Sequence, residues 1–224
     1  MATEHDSNYS SLSRRAFLAA SGAAAVGAPF LRLESQVNVS DSVMNSPAAD
    51  DPRSLSLVDL AAAIRTGKVS SETAVRAYLD RIDAVNPQLN AVVQLRREAA
   101  ILDARAADKV PHEKRGLLHG VPVTIKDSLD TAGIISTGGT KGRANFIPSH
   151  DATVVARLRA AGAIILGKTN TPDLTMAFET NNLVYGRTNN PFDVARTPGG
   201  SSGGAAAIVA AGGSPLDIGS DTGG

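Results

Sequence analysis

The chain has 224 residues, room for one or two ordinary domains. Lys plus Arg number 22 and Asp plus Glu 22, so the net charge is zero and gives no electrostatic reason to expect nucleic acid, which needs a clustered basic surface. Cys is absent, which excludes a disulfide, a thiolate metal site and a cysteine nucleophile; a hydrophobic content of 42 % suits a globular fold.

The amino terminus has its own texture. Residues 1–10 are polar, then comes Ser13-Arg14-Arg15-Ala16-Phe17-Leu18, and from Ala16 to Leu31 there is no charge and Ala, Gly and Ser dominate. A basic segment followed by an uncharged apolar one is the pattern of a secretory leader. The arginine pair with Phe and Leu just after it resembles a twin-arginine export signal. The apolar run is too short and too rich in Ala and Gly for a stable membrane span. Residues 1–34 are therefore read as an export signal, with Ala23 to Ala28 as the candidate cleavage region. That reading implies the twin-arginine export machinery as a partner and a periplasmic or extracellular destination. Residues 35–53, rich in Ser, Asp, Asn, Pro and Ala, read as a linker, and 54–224 as the folded body.

In the body, Ser56-Leu57-Val58-Asp59 has the spacing of a capping box ahead of an apolar-periodic run that ends at Gly67. A second helix starts near Ser70 with Val75, Tyr78, Leu79 and Ile82 on one face, and Asn86-Pro87 is expected to stop it. A third, Ala-rich helix runs from about Arg96 to Ala107. Val121 to Ile125 is a short β-branched strand. Asp151 is expected to cap a helix through Ala161, and Ala163 to Leu166 reads as a buried strand. Gly203 to Ala211 is helix-compatible, and Pro215 to Gly219 is strand-like. Helices and strands alternate, so the fold class is α/β, with a mixed or parallel sheet.

Three segments stand out chemically. Gly120-Val121-Pro122-Val123-Thr124-Ile125-Lys126-Asp127 ends an apolar strand on a lysine. Gly199-Gly200-Ser201-Ser202-Gly203-Gly204 sets a serine pair between glycine pairs. Asp217-Ile218-Gly219-Ser220-Asp221-Thr222-Gly223-Gly224 runs a strand into a glycine turn. Singly, each has a plain alternative. A strand-end lysine is commonly a solvated charge, and a Gly/Ser run is commonly a flexible linker. Here, however, the Gly/Ser run leads into Ala205-Ala206-Ala207-Ile208-Val209-Ala210-Ala211, which must be buried. Glycines in a buried loop point to close backbone approach or unusual dihedrals. A phosphate-binding glycine loop would place Lys-Ser/Thr directly after the glycines. Ala205-Ala206 stands there instead.

The run from Thr197 to Gly224 resembles the signature segment of the amidase signature family. The likeness extends over Leu55 to Val93, including Asn86-Pro87-Gln88-Leu89-Asn90-Ala91, over Gly116 to Thr140, over Asp151 to Asn170 and over Gly186 to Pro191. The resemblance implies an α/β fold whose mixed sheet is covered by helices on both faces. It also implies a Ser–Ser–Lys triad. On this sequence Lys126 corresponds to the catalytic lysine and Ser201 to the relay serine, preceded by a cis peptide bond. Ser202 is expected to support Ser201 by hydrogen bonding, and Thr222, Gly223 and Gly224 to supply backbone amides to the oxyanion hole. Thr175 falls where family members contact substrate through backbone. The family's nucleophile follows the second glycine of the turn, which is position 225, one past Gly224; neither Ser214 nor Ser220 fills that place. The 1–224 polypeptide alone is therefore expected to be inactive.

The implied reaction is hydrolysis of a carboxamide to a carboxylic acid and ammonia or an amine, with no cofactor and no metal. The implied substrate is a small-molecule or peptide amide. For Lys126 to accept a proton it must rest neutral. An exposed lysine has a pKa of about 10.4, and burial lowers it by as much as roughly 3–5 units. His5, His112, His119 and His150 are scattered along the chain, which disfavours a Ser-His-Asp triad. Two other functional readings stand beside this one: an inactive truncated chain, and the amidotransferase subunit that supplies ammonia to misacylated tRNA. That subunit shares these motifs but works in the cytoplasm, at odds with the Arg14-Arg15 leader.

Overall fold

The computed structural model describes residues 46–221. The export-signal reading, most of the linker, and Thr222, Gly223 and Gly224 lie outside the described residues.

Helix α1 (Leu57–Arg65) begins at the expected capping box. The backbone amide of Asp59 donates to Ser56 Oγ at 3.2 Å, and that hydroxyl donates to Asp59 Oδ2 at 2.7 Å. Leu60 and Ile64 turn inward, and Gly67 closes the end at φ +76°. Helix α2 (Ser71–Leu89) is capped by Ser70 Oγ, which accepts from the Thr73 amide. It buries Val75, Tyr78, Leu79 and Ile82 as its periodicity predicts, and continues the stripe with Val85 and Leu89.

Asn86-Pro87 does not stop α2. The helix runs on past the proline and ends at Asn90, φ 49° and ψ 44°. A proline disturbs the turn that precedes it, where its missing N–H removes one bond. The residues after it are fixed from another source. Asn86 Oδ1 accepts from the amides of Ala91 and Val92, both at 2.8 Å, and its Nδ2 donates to the Val92 carbonyl at 2.8 Å.

Strand β1 (Val92–Leu95) comes next, an element that its own residues do not announce. Val-Val-Gln-Leu carries too little alternation to signal a strand; tertiary pairing creates it. Helix α3 (Arg97–Asp108), strand β2 (Pro122–Lys126), helix α4 (Thr153–Ala160) and strand β3 (Ile164–Thr169) complete the middle of the chain. Asp151 does not cap α4, whose N-cap is Ala152 with no side-chain bond. Its carboxylate instead accepts from the Ala132 amide at 2.7 Å and pairs with Arg159 at 2.9 Å. It ties a loop to the helix rather than closing the helix end. A small ribbon, β4 (Asn181–Asn182) and β5 (Gly186–Arg187), precedes helix α5 (Gly203–Ala210) and strand β6 (Asp217–Ile218).

The main sheet has the order β1-β3-β2-β6. β2 is parallel to both neighbours, while β1 runs antiparallel on β3. The sheet is mixed and flanked by helices: α2 and α5 pack on β2 and β3, and α3 packs on β3. Both central strands are buried along their whole length, as expected of parallel strands covered by helices. Val123, Ile125, Ile165 and Leu166 are fully enclosed, each contributing about 1.5–3 kcal/mol by burial. Two register pairs place polar groups at the end of the sheet: Lys126 lies beside Thr169 on β3, and Thr124 lies beside Asp217 on β6.

Candidate active site

β2 carries its apolar run to the carboxyl end of the strand and delivers Lys126 there with no solvent exposure. Its ammonium donates to Ser201 Oγ at 2.7 Å, Ser220 Oγ at 2.9 Å and the Ser220 carbonyl at 3.2 Å. Burial disfavours the charged amine and pulls its pKa from 10.5 down to about 8, against the opposing pull of Asp217 and Asp221. A lysine so placed is neutral in part of its population near physiological pH, so it can take up a proton.

Ser201 sits on the loop that enters α5, and the Gly200–Ser201 peptide bond is cis. The loop is fitted tightly to its surroundings. A Cβ on Gly200 would stand 2.9 Å from the Ala177 carbonyl. One on Gly204 would stand 2.7 Å from the Ala91 carbonyl and press into the Asn170 backbone as well. Gly200, Gly203 and Gly204 therefore mark close approach of neighbouring atoms, and Gly199 a left-handed backbone at φ +85°, not a linker. Two threonines brace the loop: Thr171 Oγ1 donates to the Ser201 carbonyl at 2.9 Å, and Thr180 Oγ1 donates to the Gly199 carbonyl at 2.9 Å and accepts from the Gly203 amide at 3.0 Å. Thr171 is itself on a buried polar scaffold, since Asn182 Nδ2 bonds both Asn170 Oδ1 and the Thr171 carbonyl at 2.7 Å.

The structure thus brings Lys126 and Ser201 together across 75 positions of sequence. Ser202 stands beside them but does not bond to Ser201. Its hydroxyl donates to the Ser220 carbonyl at 3.1 Å and accepts from the Ser220 amide at 3.2 Å. It pins the segment after β6 against the loop before α5, because the Ser220 backbone is the partner within reach. Thr175 lies on a cavity of about 470 Å³ together with Met176, Phe178, Ser201, Ser220 and Asp221. Leu174 and Thr175 both have positive φ, 49° and 62°, a costly conformation for side-chain-bearing residues. Ser201 and Ser202 open onto the same cavity.

Sequence reasoning misses Ser220, Thr171 and Thr180 as parts of the site. Ser220 does not stand where the nucleophile belongs, yet its hydroxyl and carbonyl both receive the lysine. The threonines carry no local signal; only the fold brings them under the loop. The three described histidines lie elsewhere and bond to backbone carbonyls or a neighbouring serine: His112 to Arg65, His119 to Ala107 and His150 to Ser149. Among the described residues no group of three or more His, Cys, Asp or Glu is placed to hold a metal ion.

A second lysine is as buried as the first. Lys168, on β3, donates to the Leu129 carbonyl, to Thr131 Oγ1 at 3.0 Å and to Ser136 Oγ at 2.9 Å. Burial lowers its pKa to about 8, with Asp127 the largest opposing influence. It anchors the loop after β2, whose Asp127 carboxylate accepts from the amide and hydroxyl of Thr137.

The chain is similar to known proteins in sequence and in fold. The chain is 46 % identical over 187 residues to fatty-acid amide hydrolase 2-B of Danio rerio, covering 80 % of this chain and 36 % of that protein. It is 48 % identical over 169 residues to a glutamyl-tRNA(Gln) amidotransferase subunit of Acidothermus cellulolyticus, covering 75 % and 34 %. Among solved structures it superposes on a fatty acid amide hydrolase with a TM-score of 0.74 at 29 % identity, over 79 % of this chain and 32 % of that one. On 6-aminohexanoate cyclic dimer hydrolase complexed with substrate it does so with a TM-score of 0.67 at 35 % identity, over 75 % and 34 %. The chain spans about a third of the length of these relatives. The amidase family model matches residues 73–224, and the chain belongs to that family.

Proposed function

We propose that the protein hydrolyses a carboxamide, of a small molecule or a peptide, to a carboxylic acid and ammonia or an amine through a serine acyl-enzyme. The observation that carries this reading is the buried Lys126 amine 2.7 Å from Ser201 Oγ, beside a cavity large enough for a substrate. The nucleophile is the serine that the family resemblance implies at position 225. Its oxygen attacks the amide carbon while its proton passes to Ser201 Oγ, whose own proton passes to neutral Lys126. The amides of Thr222, Gly223 and Gly224 receive the developing oxyanion. The C–N bond breaks, the departing nitrogen takes the proton back from the relay, and water then releases the acid by the same route. Thr175 offers backbone to the substrate at the cavity wall.

The test uses the full-length protein, with ammonia release measured over a panel of amides. Lys126→Ala and Ser201→Ala are expected to lower the rate by about 10²–10⁴-fold, and mass spectrometry of a quenched reaction should find the acyl adduct on residue 225. A polypeptide ending at Gly224 is expected to turn over no amide. Full activity in both alanine variants would sink the reading.

The similarity to amidotransferase subunits supports a second reading, in which the ammonia is passed to misacylated tRNA. That reading requires partner subunits for activity and a cytoplasmic protein. Export through the twin-arginine route, which we propose from Arg14-Arg15 and the apolar run after them, is incompatible with it. Robust hydrolysis of simple amides by the protein alone decides for the first.

A further inference from the structure

The face of β2 that carries Lys126 also carries Thr124, two residues back. The register sets Asp217 beside Thr124 and Thr169 beside Lys126, on opposite sides of β2. Thr169 Oγ1 nevertheless donates to Asp217 Oδ2 at 2.9 Å. That bond spans from β3 to β6, so the Asp217 carboxylate must lie across β2, over the face from which the lysine side chain rises. The other carboxylate oxygen, Oδ1, is sealed from solvent without a well-formed hydrogen bond, and Thr124 Oγ1 is in the same condition. With Thr169 its one well-formed partner and Thr124 a weak one, the enclosed carboxylate acts on its neighbours with little screening by water.

We propose that Asp217 is a positioning residue for Lys126: its carboxylate, strung across β2 by Thr169, sets how tightly the relay lysine holds its proton. This rests on the reading of Lys126 as the proton acceptor. Asp217 makes no hydrogen bond to the amine, whose partners are Ser201 and Ser220; it acts through space. The groups facing it are few. Burial raises its pKa, while the hydroxyls of Thr124 and Thr169 and the charges of Lys126 on β2 and Lys168 on β3 favour its ionised form. Asp221, after β6, acts on Lys126 in the same sense as Asp217. Helix α5 contributes no titratable group. Without a nearby carboxylate, burial alone would make the amine too weak a base to take the proton from Ser201. With the carboxylate, the amine can both accept and give back.

The experiment is a titration of the Lys126 side chain in the full-length protein by NMR, using ¹³C-labelled lysine and assigning the signal by its loss in Lys126→Met. Asp217→Asn keeps the shape and removes the charge. The Lys126 midpoint is expected to move down by about one pH unit, and the acid limb of the kcat/KM profile to move down with it. Thr169→Val, nearly isosteric, withdraws a hydroxyl that favours the ionised form of Asp217, so more of the acid is neutral and the midpoint should shift in the same direction by less; it decides the matter if Asp217→Asn does not fold. An unmoved lysine midpoint in a folded variant overturns the proposal. A shifted midpoint in a protein without amidase activity would instead overturn the proposed function and leave the Asp217–Lys126 coupling standing.

Discussion

The hydroxyl of Thr171 holds the carbonyl of Ser201 at 2.9 Å, so Ser201 is gripped from its backbone side while its own hydroxyl faces Lys126. Replacing Thr171 by Val keeps the volume and removes the grip. The variant should lose about 1 kcal/mol of stability, read by urea denaturation. Its kcat/KM should fall by about tenfold or more with KM little changed, because a small misplacement of a catalytic group is costly.

Lys126 titrates at about 8, below the ordinary 10.5, because it is buried. The proposed relay needs the neutral amine, so protonation should inhibit. The rate of the full-length protein should rise with pH through about 8 and then level; well below that midpoint it should drop about tenfold per unit. Lys126→Arg, whose guanidinium stays charged, should abolish the reaction at every pH tested.

The two buried lysines also bear on stability. Lys126 and Lys168 both titrate at about 8 when folded and near the ordinary 10.5 when unfolded. Between those values the unfolded chain binds more protons, so stability should rise with pH; below about 8 both states are protonated and the dependence from these groups ends. Each lysine contributes a slope of about 1.4 kcal/mol per unit in that window. Lys168→Met should remove one such slope between about pH 8.5 and 9.5. It should also cost about 1–3 kcal/mol at neutral pH by leaving the Leu129 carbonyl and the hydroxyls of Thr131 and Ser136 without their donor. Urea titrations at several pH values check both.

The proposed export route makes a separate prediction. Changing Arg14 and Arg15 together to Lys should hold the protein inside the cell, with the precursor accumulating, when cell fractions are compared by immunoblot. Unchanged export would remove the twin-arginine reading and leave the chemistry of the body untouched.

Much of the site is legible in the sequence because its signals are local. The Ser56 capping box announces α1, and the apolar run from Val121 announces β2; that its lysine is buried follows from the family resemblance, since a strand-end lysine taken alone is commonly solvated. Glycine pairs around two serines, followed by an apolar run, announce close backbone approach, which Gly200 and Gly204 then show; the run itself is buried on one face only, since Ala206, Val209 and Ala210 are exposed. What stays hidden depends on partners distant in sequence. β1 becomes a strand only because β3 is there to pair with it. Asp151 looks like a helix cap until the Ala132 amide and Arg159 claim it. Pro87 looks like a stop because nothing nearby reveals that Asn86 will fasten the chain beyond it. Ser202 and Ser201 are adjacent, and adjacency suggests a bond that the loop's path directs to Ser220 instead.

The separation of Lys126 and Ser201 by 75 positions has a consequence for when the chemistry becomes available. In an unfolded or half-made chain the lysine has water around it and its ordinary pKa of 10.5. At pH 7 only about 3 amines in 10,000 would then be neutral; at a pKa of about 8 the share is near one in ten. Folding therefore multiplies the reactive form by about 300-fold. The burial that lowers the pKa is supplied together by β2, β3, β6 and the loop before α5, which surround the amine in the folded chain. The lysine is in effect a reporter on completion of the fold: a half-made or misfolded chain carries almost entirely the inert cation, and the neutral amine becomes a sizeable share only in the assembled molecule.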